Sequence, residues 1–196
     1  MRGDMMRAGS GIIGVGLLLI ACASTGMAQH TFTMYRSTQS RLPVSFEYPA
    51  DWQVEPSSGM MEAYTQVQLY GPASLDARLR TYMVVRVLPP KGQGGRFADA
   101  AAMADDYRKT LMPTLHIDQE RQTQVLGTPA AMVDVSGTLL LPWKGTHPTP
   151  VPVKSQRVFF EKAGRLYELS WMATPEASAV VEQAFTHLLA TLRLTE

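Results

Sequence analysis

The chain has 196 residues, 45% hydrophobic and 18% charged, which excludes a disordered polymer, a repeat array and a stapled miniprotein. Setting aside Arg2, Arg7 and Asp4 near the start, the 18 basic and 17 acidic residues become 16 of each. Nucleic-acid binders carry a basic excess or stripe, because phosphate contacts supply most of their affinity, and this balance argues against that class.

Met1–Arg7 holds two arginines, and Gly11–Ala21 is an uninterrupted apolar run. A positive start, a short apolar stretch and small residues after it define a secretory signal. A membrane span needs about 20 apolar residues, more than this run offers. Glycines at 11, 14 and 16 also count against a buried first helix. Residues 1–28 therefore read as a signal segment and residues 29–196 as a single domain. Two processing sites fit. Leu19-Ile20-Ala21-Cys22 is similar to a bacterial lipobox, whose cysteine becomes a lipidated N-terminus, while Gly26-Met27-Ala28 suits ordinary cleavage before Gln29. Cys22 is the sole cysteine, so no internal disulfide can form, and its position tips the reading towards lipidation. Several acyl chains would hold the domain on a bilayer, at about 0.8 kcal/mol for each buried methylene.

Thr31–Arg36 and Leu42–Tyr48 alternate with period two and read as strands, the second ended by Pro49. Ala50 to Gly59 reads as irregular, with Pro56 inside it. Glu62–Tyr70 alternates again and stops at Gly71-Pro72. Arg80–Leu88 is dense in apolar residues, as in a strand buried on both faces. Pro89–Arg96 is a loop. From Phe97 to Met112 the period becomes helical, with Phe97, Ala101, Ala104, Arg108 and Leu111 on one face, Tyr107 alongside them and Pro113 as the stop. Four further strands follow: Ile117–Leu126, Ala130–Leu141, Val153–Lys162 and Arg165–Ala173. Gly127-Thr128-Pro129 and Ala163-Gly164 supply hairpin turns, and the proline-rich Pro142–Pro152 reads as a loop outside any sheet. Thr174 as N-cap, Pro175 and Glu176 open a last helix, whose buried stripe is Val181, Phe185, Leu188 and Leu192. Strands, helix, strands, helix is the order of an antiparallel α+β sheet flanked by helices.

That order, together with Phe46-Glu47-Tyr48-Pro49-Ala50-Asp51-Trp52, Gly127-Thr128-Pro129-Ala130, Arg157-Val158-Phe159-Phe160, Gly164-Arg165-Leu166-Tyr167, Ala184-Phe185 and Leu192-Arg193, resembles the PsbP-like family, which includes bacterial envelope lipoproteins. The resemblance covers essentially all of the chain after the leader. It implies a PsbP-like sandwich and mostly non-enzymatic roles: accessory subunits, partner-binding modules and envelope lipoproteins. It transfers no contact residues and gives no support to a photosynthetic role.

No catalytic set is legible. The mature chain has no cysteine to act as nucleophile or thiolate ligand. His30, His116, His147 and His187 lie far apart, without metal-site spacing. Asp105 and Asp106, adjacent on a helix, diverge by about 100° and cannot share a proton. The glycines at 92, 94 and 95 lack a phosphate-loop pattern, and Met60-Met61 reads as filler rather than a copper site. No cofactor, no metal and no enzyme activity are expected. Trp143, beside Lys144 and close to His147 on the proline-rich loop, is the candidate anchor for a protein partner. Trp52 and Trp171 are expected in the core. The leading expectation is an exported, lipid-anchored accessory protein that docks an envelope protein partner. The alternative is a carrier or sensor for a small apolar ligand held between sheet and helix.

Overall fold

A computed structural model describes residues 31–58, 64–74, 78–142 and 147–195. The strands are β1 Phe32–Arg36, β2 Val44–Pro49, β3 Gln53–Ser58, β4 Thr65–Ala73, β5 Arg80–Leu88, β6 Leu115–Val125, β7 Thr128–Leu141, β8 Thr149–Lys162, β9 Arg165–Ala173 and β10 Arg193–Leu194. The helices are α1 Ala100–Thr110, after a short 3₁₀ turn at Lys91–Gln93, and α2 Pro175–Thr191. Seven strands form one antiparallel sheet in the order β3-β4-β5-β9-β8-β7-β6, and β1-β2-β10 form a smaller one. This is the expected antiparallel α+β sheet with flanking helices. Arg80–Leu88 and Arg165–Ala173 coincide with β5 and β9. The leader, Cys22, Met60-Met61, Trp143 and Lys144 lie outside the described residues.

Several segments differ from the sequence expectation: β4 runs through Gly71-Pro72 to Ala73 and β7 takes in Thr128 and Pro129, and three further departures bear on the site. Ala50 to Gly59 is not irregular throughout, because Gln53–Ser58 pairs with β4 and places Pro56 opposite Val67. As β3 is an edge strand, a proline without an amide donor is tolerated there. Pro142–Pro152 is likewise shorter as a loop than expected. β8 begins at Thr149, and Pro150 and Pro152 sit opposite Leu140 and Thr138. The buried face of α1 is also rotated by about one residue from the expected stripe. Asp99 caps the helix, its side chain accepting from the Ala102 amide at 2.8 Å. With that start, Met103 and Ala104 are buried, Tyr107 is half-buried beside them, and Ala101 faces solvent.

Strand alternation gives the seven-stranded sheet two chemically different faces. On one, Met83, Val85, Val87, Val158, Phe160, Tyr167, Leu169 and Trp171 meet α2 and the β2 residues Val44 and Phe46. The α2 side chains Val181, Ala184, Phe185 and Leu188 are completely buried, as is Leu192 just beyond the helix. Phe160 and Tyr167 stack at 4.8 Å with 6° between their planes. Trp52 and Trp171 are buried, as expected. A Cβ on Gly71 would lie 2.6 Å from the Trp52 ring, so only glycine admits that indole. Thr174 holds the N-cap position of α2, but its side chain makes no capping bond.

The other face is divided. Leu88, Met103, Ala104, Val133, Val135, Phe159 and Leu166 form a small cluster beneath α1. Leu79, Leu139, Leu141, Val151, Val153 and Met172 form a second, towards the β7–β8 hairpin.

Candidate functional site

Between the α1 cluster and the β3 edge, the second face carries charge. Arg86, Glu168 and Arg157 sit on adjacent strands because Arg86 pairs with Glu168 across β5–β9, while Arg157 pairs with the next-but-one residue, Ser170, across β8–β9. Arg86 Nη1 donates to Glu168 Oε2 at 3.0 Å, and Arg157 Nη1 donates to Glu168 Oε1. Arg86 Nε also donates to Gln66 Oε1 at 3.0 Å, and Gln66 Nε2 to Ser57 Oγ at 3.1 Å. A polar line thus crosses five strands, from β3 to β8. The Glu168 side chain is 8% exposed, against 26% and 28% for Arg86 and Arg157.

Aromatic rings cover both guanidiniums. Tyr64 lies 4.6 Å from that of Arg86, and Tyr107 of α1 lies 4.4 Å from that of Arg157. Burial pushes the Tyr107 phenol above its ordinary value, while Arg157 pulls it back. Tyr82 is raised by burial in the same way. Burial also works against the Arg157 charge, but Glu168 and the two phenols outweigh it and hold the guanidinium above its ordinary range. Among the described residues, the buried Arg157 Nε has no hydrogen-bond partner.

Here the sheet, α1 and the Gly94–Phe97 segment enclose a half-open cavity of about 390 Å³. The glycine-rich loop, unremarkable as sequence, is one of its walls. A Cβ on Gly95 would fall 1.6 Å from the Pro89 carbonyl oxygen, so the tight turn that brings this wall in requires glycine. At the mouth, Arg96 Nη2 donates to Asp106 Oδ1 at 2.7 Å. By contrast, the space between sheet and α2 is filled by completely buried side chains.

The second notable region is the end of the β7–β8 hairpin. β6 stops at Leu115 opposite Gly137, and β9 stops at Ala173 opposite Lys154, while β7 and β8 continue. The Thr138 amide still donates to the Thr114 carbonyl at 3.0 Å, and from Leu139 to Leu141 the two strands pair with each other beyond the ends of β6 and β9. The inner face of this overhang is anchored by Leu139, Leu141, Val151 and Val153. On its other face Leu140 is 47% exposed, and Pro150 and Pro152 are exposed beside it. Of the three expected partner-binding residues, His147 is exposed at the hairpin end, and Trp143 and Lys144 fall outside the described residues. The remaining described histidines do not converge. His116 is exposed near Ser136 and Asp118, while His187 Nε2 lies 2.7 Å from Glu47 Oε2, its ring stacked on Phe32 at 3.8 Å. Asp105 and Asp106 pair separately, with Arg108 and Arg96.

Sequence reasoning missed the Arg86–Glu168–Arg157 group. The available signal was a charged residue set within an apolar run, Arg86 in Met83–Leu88 and Glu168 in Leu166–Leu169, whereas Arg157 follows the polar Lys154, Ser155 and Gln156 and carried no such signal. Such a residue is expected to be paired when its strand is buried.

Element order, sheet topology and the packing of α2 define a PsbP-like fold. Among solved structures, the solution structure of cyanobacterial PsbP from Synechocystis sp. PCC 6803 aligns with a TM-score of 0.51 at 13% identity, covering 90% of this chain and 98% of that one. The crystal structure of LpqN, described as involved in cell envelope biogenesis of Mycobacterium tuberculosis, aligns with a TM-score of 0.51 at 14% identity, covering 86% and 92%. Neither a family model nor a curated protein sequence matches the chain. At these identities the likeness is one of fold.

Proposed function

We propose that the protein is an exported, lipid-anchored accessory protein of the bacterial cell envelope, and that it docks a protein partner through the end of the β7–β8 hairpin. The observation that carries this reading is the overhang. Two 14-residue strands run past both neighbours and hold Leu140, Pro150 and Pro152 in solvent on a stiff ladder. A rigid apolar surface of this kind loses little conformational entropy on binding. The next residues in the chain, Trp143, Lys144 and His147, are the types that anchor interfaces and steer encounter. The fold is also that of LpqN, a protein described by its role in cell envelope biogenesis. The leader and Cys22 supply the route out of the cytoplasm and the attachment. Binding without catalysis is consistent with a site whose charged groups are engaged with each other.

Two experiments test the reading. Cys22→Ala should release the protein from the membrane fraction while leaving it exported; unchanged membrane association would remove the anchor. Crosslinked capture from the native envelope should give a saturable partner for the wild type that is lost with Trp143→Ala. A partner retained by both baits moves the interface away from the hairpin.

A further inference from the structure

We propose that the cavity beneath α1 binds a small carboxylate with an apolar body, its carboxylate against the Arg86 and Arg157 guanidiniums. This site lies on a different part of the sheet from the hairpin overhang and stands whether or not the hairpin docks a partner.

The argument begins with charge. Two guanidiniums share a single carboxylate, Glu168, while Arg96 and Asp106 at the mouth neutralise each other. The wall therefore carries one positive charge in excess, at side chains about three-quarters removed from water. A charge so placed is costly without a partner. An incoming anion supplies one, and a planar carboxylate matches the forked donors of arginine. The buried Arg157 Nε lacks an acceptor among the described residues, which marks Arg157 as the less satisfied of the two. Arg86 already spends its Nε on Gln66.

The rest of the cavity selects the body of the ligand. Leu88, Phe97, Met103 and Phe159 line it, and the Tyr107 and Phe159 rings stand 5.8 Å apart along one wall. A cavity of about 390 Å³ with this lining suits an aromatic or short branched acid and is poorly matched to a bare inorganic anion. The position also explains the Gly95 turn, which draws the loop close enough to close one side.

The test uses phenylacetate, its neutral analogue phenylacetamide and inorganic phosphate, titrated into the ¹⁵N-labelled processed protein. The arginine Nε–H resonances serve as the readout. Phenylacetate should shift the Arg157 Nε–H signal saturably, and phenylacetamide should not. Arg157→Lys, which keeps a cation beside Glu168, should weaken phenylacetate binding about tenfold or more, the expected effect of losing a charge-assisted contact. Phe97→Ala, a half-buried wall residue outside the Arg86–Glu168–Arg157 group whose ring lies 5.1 Å from the Arg96 guanidinium, should weaken it without disturbing the Arg157 signal of the free protein. That second variant keeps the test decisive if Arg157→Lys does not fold. No saturable shift with phenylacetate, an equal response to phenylacetamide, or phosphate binding as tightly as phenylacetate would each overturn the proposal.

Discussion

The two faces of the seven-stranded sheet are built on opposite principles. Beneath α2 the side chains are apolar, completely buried and interlocked, so that even the Tyr167 hydroxyl and the Trp52 and Trp171 indole nitrogens find no partner among the described residues. Beneath α1 the same strands, one residue out of phase, present Arg86, Arg157 and Glu168 to a half-open cavity. The first face maximises burial. The second gives up burial for charged groups held in fixed positions. One sheet can therefore act as both foundation and recognition surface, because alternation separates the two sets of residues without separating the strands.

Removing core volume should produce the largest break in this contrast. Phe185→Ala on α2 is expected to lower unfolding free energy by about 3–5 kcal/mol in chemical denaturation, since the ring is completely buried in a packed core. A loss below about 1 kcal/mol would mean that this face is looser than described. The charged face should lose less. Glu168→Ala leaves two guanidiniums facing each other, a change worth about 3–5 kcal/mol in a fully buried pair. Because both arginines retain a quarter of their exposure, about 2 kcal/mol is expected here, reduced for solvent screening. Denaturation at low and high salt should show the loss shrinking as salt rises.

Tyr167→Phe sharpens the comparison in the opposite direction. The buried hydroxyl has no partner, so its removal should stabilise the protein by about 1 kcal/mol. A loss instead would reveal a hydrogen bond that the described contacts lack. The smallest effect concerns alkaline pH. Burial raises Tyr82 and Tyr107 above the ordinary 10.0, so the fold favours their neutral forms. That contribution is complete below pH 10.0 and is lost as pH rises through the raised values, because the unfolded phenols release their protons first. Stability measured across that range should fall, and Tyr107→Phe should flatten the fall. A rise with pH would contradict the assignment.

How much of this was legible beforehand depended on distance along the chain. The α2 stripe was readable because a helix expresses its buried face within one turn, and Arg80–Leu88 and Arg165–Ala173 were readable because both are dense in apolar, aromatic or β-branched residues and are bounded by loop or turn residues. Pro56, Pro150 and Pro152 misled, because whether a proline fits a strand depends on which neighbour that strand lacks, and pairing is not written locally. The charged cavity was illegible for the same reason. Arg86 and Glu168 are 82 residues apart and meet only through the β5–β9 register. The hairpin tip was singled out from composition alone. What sequence could not show was that both strands overrun their neighbours and leave Leu140 half exposed on a supported ladder.

The most direct test of docking through the hairpin is Leu140→Asp, read simultaneously for thermal midpoint and for crosslinked partner yield in the native envelope. Surface changes away from packed features stay within about 0.5 kcal/mol. The account therefore predicts an unchanged midpoint together with loss of the partner. A lowered midpoint would place Leu140 in the foundation, and an unchanged midpoint with the partner retained would contradict docking through the hairpin.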